Sequence, residues 1–395
     1  MPGSATELFQ QHFGRAPAHV AQAPGRLELL GNHTDYNGGL VLALAVDRNI
    51  QIAAAPREDG RVRLVAAAFP GVEEFSVAAL ERSVAAPWAD YVKGVLQQLQ
   101  RHGAVLGGFD AAVVGTIPMG AGMSSSAALE VATALIVRQL NPYEAVDGSL
   151  RTCAPGAVPS PLGPRERLAL AKLCQAAENE FVGVKCGLLD QMSSLFGRAE
   201  HALELDFQSL EVSYAPLPAG IAVVVCNSGV KHELVGGEYN ELRACCEAAA
   251  RQLEVPLLRQ ATPDMLAAGR SRLSQREFQC ASHIIGENTR VESGVRALRA
   301  GDFAAFGRLM FQSHASSRDD FHNSTAELDL LVEIARAHPA CLGARLTGGG
   351  FGGATINLVR REGLAGFNEH MAREYPLRGG PALVPLVCRV ADGAS

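Results

Sequence analysis

Tryptophan occurs once in 395 residues, at position 88, and all aromatics together make up only 6% of the chain. Large flat side chains are too few to dominate a core, so aliphatic residues must fill it. A surplus of one charge is also missing. The net charge of −6, with both signs mixed along the chain, leaves no basic footprint for nucleic acid and no polybasic patch for a membrane. No apolar run reaches the length of a membrane span, and no charged-then-apolar leader opens the sequence. The nine cysteines, at 153, 174, 186, 226, 245, 246, 280, 341 and 388, are odd in number and lack CxxC spacing. Neither a disulfide framework nor a zinc site is expected from them. These absences predict a cytoplasmic protein, acting as a monomer, whose partners are small molecules. With 48% hydrophobic and 19% charged residues, a chain of this length buries one large core or two ordinary ones, and two lobes are expected.

What is present centres on Gly115 to Leu129. The apolar run Phe109 to Val114 predicts a strand, and Ala127 to Leu140 predicts a helix apolar on nearly every side. Between them, Gly120 and Gly122 let the backbone approach a ligand closely. Ser124, Ser125 and Ser126 fall where the cap and first free N–H groups of the helix would lie, which suits an anion, most simply a phosphate. A Walker loop is excluded, because Ala121 follows Gly120 where lysine is required. A dinucleotide fingerprint is excluded because Ser125 takes the third glycine position and a polar, proline-containing loop follows the helix. The plain alternative is a tight strand-to-helix turn.

Other stretches carry unusual polar groups. Ala23 to Gly39 is a strand running into Asn32-His33-Thr34-Asp35-Tyr36-Asn37, with the permanent cation Arg26 among apolar neighbours in need of an anion. Val41 to Ala55 and Arg61 to Ala68 predict paired strands around a turn at Glu58-Asp59-Gly60. Trp88 opens a helix, and Asn141 to Pro164 reads as a long exposed loop. Leu170, Leu173, Cys174, Ala177, Glu178 and Phe181 form one helical stripe, so Glu178 is a carboxylate on a buried face, needing a cation, a metal, hydrogen-bond donors or a salt bridge. Asp190, between Gly187 and Gly197 among large apolar residues, is either a helix cap or a reactive base. A lobe boundary is expected between Phe207 and the strand Ile221 to Cys226, dividing residues 1–213 from 214–395. Asn227 to His232 opens the second lobe, and a helix with the stripe Leu242, Cys245, Cys246, Ala249 and Leu253 follows, with Tyr239 just before it. Ser324-Thr325-Ala326-Glu327 reads as a capping box. Leu346 to Gly353 is a second glycine loop before the strand Ala354 to Val359.

Three of these motifs, Gly25 to Asn37, Pro118 to Ala127 and Leu346 to Gly353, taken in order, resemble those of the galactokinases and the wider GHMP kinases. Trp88 to Gly94 and Cys186 to Gln191 are similar to galactokinases in particular, and the resemblance runs from about Pro24 to Gly353. It implies an α+β, two-lobed GHMP kinase fold, with a ribosomal protein S5 domain 2-like first lobe and a ferredoxin-like second lobe. The implied activity is ATP- and Mg²⁺-dependent phosphorylation of the anomeric hydroxyl of galactose. Gly120, Ala121, Gly122, Met123, Ser124, Ser125 and Ser126 would cradle the triphosphate, and Trp88 would lie near the adenine. Ser126 and Glu178 would bind the metal, Asp190 would take the C1 hydroxyl proton, and Arg26 would orient that aspartate. Asn32, His33, Asp35, Gly187 and Tyr239 match sugar contacts. The usual loop reads Gly-Glu-His-Thr-Asp-Tyr-Asn, so Asn32 stands in place of a glutamate that accepts from a sugar hydroxyl far from C1. That exchange opens the choice of sugar to galactosamine derivatives or galacturonate, and a non-catalytic sugar sensor is the alternative from another class.

Overall fold

The computed structural model describes residues 3–118, 120–146, 149–154, 157–231 and 235–395; Met119 of the serine loop and His232 lie outside the described residues. The first lobe runs α1 (Ala5–Phe13), β1 (His19–Leu30), β2 (Leu40–Arg57), β3 (Arg61–Ala66), β4 (Phe69–Ser76), α2 (Ala89–Arg101), β5 (Gly108–Gly115) and α3 (Ser125–Leu140). It continues through β6 (Tyr143–Val146), β7 (Ser149–Thr152), α4 (Pro164–Ala176), α5 (Leu189–Phe196), β8 (His201–Asp206) and β9 (Glu211–Pro216). The second lobe runs β10 (Ile221–Lys231), α6 (Val235–Gln252), α7 (Pro263–Ala268), α8 (Gln275–Arg299), α9 (Phe303–Ser316) and α10 (Ala326–Ala337). It ends with β11 (Cys341–Thr347), β12 (Gly352–Arg360), α11 (Leu364–Leu377) and β13 (Leu386–Cys388). The expected α+β, two-lobed architecture is present.

The first sheet follows the order β4-β3-β5-β2-β8-β9, with β1 added against β2. Expectation and structure part at β2 and β3, which do not form a hairpin. β5 inserts between them, antiparallel to β2 and parallel to β3, while β3 turns back on β4. Local turn chemistry at Asp59-Gly60 was consistent with either arrangement; the apolar run of β5, needing neighbours on both sides, takes the central place. Part of the expected 141–164 loop also folds, as the hairpin of β6 and β7. Tyr143 anchors it, its buried hydroxyl donating to Ala134 O at 2.9 Å.

The second sheet is antiparallel, in the order β11-β12-β10-β13. Period-two alternation along β10 divides it between two cores. Val224 and Cys226 face Leu331, Ile334, Phe367 and Met371 under α10 and α11, whereas Val223 and Val225 join the large core that also holds β1, β2 and α3. The sheets change between Pro216 and Ile221, so a division at 213/214 falls inside β9. Residues 391–395 return to the first lobe, where Gly393 N donates to Gly197 O and Ser395 N to Gln22 O. α10 is capped by Thr325 Oγ1, which accepts from Leu328 N; Ser324, the expected cap, donates instead to Asp329 Oδ1.

Candidate active site

β1 reaches the site as a bulged strand. Its register against β2 shifts between Pro24 and Arg26, where proline has no N–H to offer. Arg26 N consequently donates to Met123 O at 3.1 Å, tying the strand to the serine loop. In that loop Gly120 and Gly122 have φ of 73° and 64°, and Ser124 follows at 52°. These left-handed turns fold the loop over the N-terminus of α3, with Ala121 and Met123 buried beneath it. Ser124 stands at the cap position but caps nothing; its Oγ donates to Asp190 Oδ2.

Asp190 lies in the first turn of α5, which has no side-chain cap, so of its two readings the cap is set aside. Arg26 Nε holds its Oδ1 at 2.7 Å while Arg26 Nη1 donates to Gly122 O. Burial disfavours the Arg26 charge, but Asp190 and Glu28 overcome this and raise its pKa, so the guanidinium stays protonated. Glu178 pairs with no cation among the described residues. Its Oε2 accepts from Cys186 Sγ at 3.2 Å and from Gln191 Nε2 at 3.0 Å. Gln191 Nε2 also reaches Glu130 Oε2 at 3.0 Å, and Glu130 Oε1 has no partner among the described residues. Burial and the nearby Asp190 push Glu178 up to about 7, and burial with Glu178 pushes Glu130 well above the carboxylate range. Helix α4 widens into a π turn over Ala177–Val182, which sets Glu178 beside the Ser126 hydroxyl.

Two cavities meet at this cluster. One, of about 890 Å³, is lined by Phe69, Trp88, Ile117, Leu129 and the serine loop, with the Trp88 and Phe69 rings stacked at 5.7 Å. The other, of about 510 Å³, holds Arg26, Glu28, Asp35, Asp190, Tyr239 and Gly187. Gly187 is there by necessity, since a Cβ on it would fall 1.6 Å from Asp35 Oδ2. Burial, then the Asp190 charge, raises Asp35 to about 7. His33 sits in the left-handed region at φ 61°. Its Nε2 donates to Gly349 O and its Nδ1 accepts from the Tyr36 hydroxyl, each at 2.9 Å. Burial lowers it to about 4, so the ring is neutral and both nitrogens are used internally.

Asn32 is likewise spent. Its amide donates to Glu28 Oε1 and Gly348 O, and its Oδ1 accepts from Asn323 Nδ2 at 2.8 Å and Ser317 Oγ at 3.4 Å. Two donors and two lone pairs exhaust an asparagine, so Asn32 lines the cavity without a free polar atom for a sugar. Its backbone is held from α8, where Glu287 Oε2 accepts from Gly31 N at 2.7 Å and Asn32 N at 2.9 Å.

The chain matches family models for the galactokinase galactose-binding signature at residues 7–56, the GHMP kinases N terminal domain at 90–198 and the GHMP kinases C terminal at 295–373. It is 42% identical to a galactokinase of Roseiflexus over 99% of this chain and 96% of that one. The chain belongs to the galactokinase family. Human galactokinase is 41% identical, over 99% of this chain and 95% of its own. The structure of Lactococcus lactis galactokinase complexed with galactose superposes with a TM-score of 0.89 at 31% identity, covering 99% of this chain and 98% of that one. Mevalonate kinase of Methanococcus jannaschii, at 16% identity and a TM-score of 0.62, covering 95% and 98%, shares the fold. Within this galactokinase frame, the residues singled out from sequence converge on two adjoining cavities. Glu28, Glu130, Gln191, Glu287 and Arg345 were not singled out. Glu28 had a visible signal, two residues from Arg26 on one strand face, as did Glu130, a lone carboxylate in an apolar helix.

Proposed function

We propose that this chain transfers the γ-phosphoryl group of ATP to the C1 hydroxyl of galactose, giving galactose 1-phosphate and ADP. The observation that carries this reading is Asp190, held between Arg26 and Ser124 where a sugar-sized cavity meets the serine loop. Asp190 takes the C1 hydroxyl proton, the C1 oxygen bonds to the γ-phosphorus, and the bond to the β-phosphate oxygen breaks. Arg26 orients Asp190 and balances charge as the group passes. The N–H groups and hydroxyls of Gly120 to Ser126 cradle the triphosphate, and Trp88 borders the adenine.

The donor set suits Mg²⁺. Glu130, Glu178 and Asp190 crowd together with only Arg26 paired among them, and an added cation relieves that crowding. No three His, Cys, Asp or Glu side chains form a metal cage among the described residues. Ser126 and Glu178 would be the protein's share of a metal that prefers phosphates and water for the rest. When bound, it neutralises triphosphate charge.

Asn32 does not empty the sugar cavity of its carboxylate, because Glu28 stands there, which disfavours galacturonate by repulsion. The intact base and loop disfavour a sensor. Nine cysteines, odd in number and without CxxC spacing, support a reducing, cytoplasmic setting. No described helix is long and apolar enough to cross a membrane. The test is ADP release by purified protein given ATP, Mg²⁺ and separately galactose, galactosamine, N-acetylgalactosamine or galacturonate. Galactose is expected to give the highest kcat/KM; background release with galactose overturns the proposal.

A further inference from the structure

β1 places two charged side chains on the cavity face. Between Arg26, opposite Ala45, and Glu28, opposite Ala43, the register with β2 is regular, so both leave the same face about 6.6 Å apart. Arg26 goes to Asp190 at the reacting end. Glu28 therefore stands further along the sugar cavity, away from the base.

Glu28 is buried and its main chain is clamped, N donating to Thr347 Oγ1 at 3.0 Å and O accepting from Arg345 Nη1 at 3.2 Å. Oε1 accepts from Arg345 Nη1 at 2.7 Å and Asn32 Nδ2 at 3.0 Å. Oε2 receives no hydrogen bond from any described residue, and it is not sealed from the cavity that Glu28 lines. A carboxylate serving only as counter-ion to a buried arginine commonly takes the guanidinium with both oxygens, which satisfies both partners. Among the described residues, Arg345 Nε and Nη2, both buried, have no partner, while Oε2 stays free. Asn32 and His33 have no polar atom left over for a ligand.

We propose that Glu28 is a sugar-reading residue of this chain: its Oε2 accepts a hydrogen bond from a sugar hydroxyl remote from C1, and Asn32 and Arg345 hold Oε1 to aim it. This rests on the galactose kinase reading. A substrate without that hydroxyl leaves a buried carboxylate oxygen unpaired, and one with a carboxylate there meets repulsion.

The experiment is a coupling cycle on kcat/KM. Wild type and Glu28→Gln are compared on galactose and on deoxygalactoses lacking the C3, C4 or C6 hydroxyl. Wild type is expected to lose about 10- to 100-fold on one of these analogues, the range of a hydrogen bond to a charged group. Glu28→Gln should lose a similar factor on galactose, lose no more on that same analogue, and keep its KM for ATP. If Glu28→Gln fails to fold, Glu28→Asp keeps the charge opposite Arg345 and completes the cycle. Losses that multiply on all three analogues overturn the assignment and leave the kinase reading standing. A wild type that releases no ADP with galactose overturns the kinase reading and this inference with it.

Discussion

Asp190 accepts from two donors on two different elements, Arg26 on β1 and Ser124 in the serine loop, and opens on the sugar cavity. Replacing it by asparagine keeps the shape and removes the proton acceptor. Turnover of Asp190→Asn should fall about 10²- to 10⁴-fold while nucleotide affinity is retained, read by single-turnover kinetics beside a nucleotide titration. Retained turnover would remove Asp190 from the role of base. Asp35 offers a pH test. Its folded pKa of about 7 lies above the usual carboxylate range, so the neutral form contributes stability that is complete below about pH 4 and lost as pH rises through 7. Sugar binding asks for the opposite form, a carboxylate that accepts from hydroxyls. The ligand-free protein should thus lose melting temperature between pH 5 and pH 8 relative to Asp35→Asn. Over the same range the galactose KM of the wild type should fall as pH rises, and a flat KM would contradict the assignment.

At the scale of elements, strands and helices with a clear period were legible: β5, α3, α4 and the stripe of α6 lie where apolar spacing placed them. Pairing was not legible, because Asp59-Gly60 reports a turn and not the strand across it. The caps were half legible. Ser124 and Ser324 had the right chemistry, yet each hydroxyl found a tertiary or neighbouring acceptor, Asp190 or Asp329. Helix α8 shows an element acting at a distance from the ligand. Its buried Glu287 receives Gly31 N, Asn32 N and Arg290 Nε, the last at 2.5 Å, and the Arg290 charge foremost, helped by the Asn32 amide, holds it well below its ordinary pKa despite burial. Glu287→Ala leaves Arg290 and two loop amides without their acceptor. A loss of about 3–5 kcal/mol is expected in denaturant unfolding, with a raised galactose KM in whatever remains folded.

The two main sheets share the largest of the molecule's apolar cores. Val223, Val225, Ile356 and Leu358 of the second sheet pack in the same cluster as Leu27, Leu44 and Val131 of the first lobe. Buried polar bonds cross there as well, from Arg345 to Glu28 and from Thr347 to Glu28. Lobes joined this way should unfold together. Calorimetry is expected to show a single transition that moves upward as one with sugar or nucleotide, by mass action on the folded state. Two resolved transitions would show that the shared core does not couple them.

By itself the sequence determined the strand, loop and helix around Gly120 to Ser126, the order of the motifs, the two lobes and the placing of Arg26, Glu178 and Asp190 in one site. The local elements, and the need of each of these buried charges for a partner, follow from periodicity, from glycine's access to positive φ and from the cost of burying charge, all of which act over a few residues; that the three charges share one site followed from the resemblance of the ordered motifs to the galactokinases. Only the tertiary structure decided which polar atoms remain free. Asn32 is emptied of hydrogen-bonding capacity by Gly348 and Asn323, 316 and 291 residues away, while Glu28, marked by its strand only as a charge on the face of Arg26, keeps an oxygen for the cavity because Arg345 takes only the other. Such contacts depend on which distant strand and helix are packed alongside, and no local pattern encodes that.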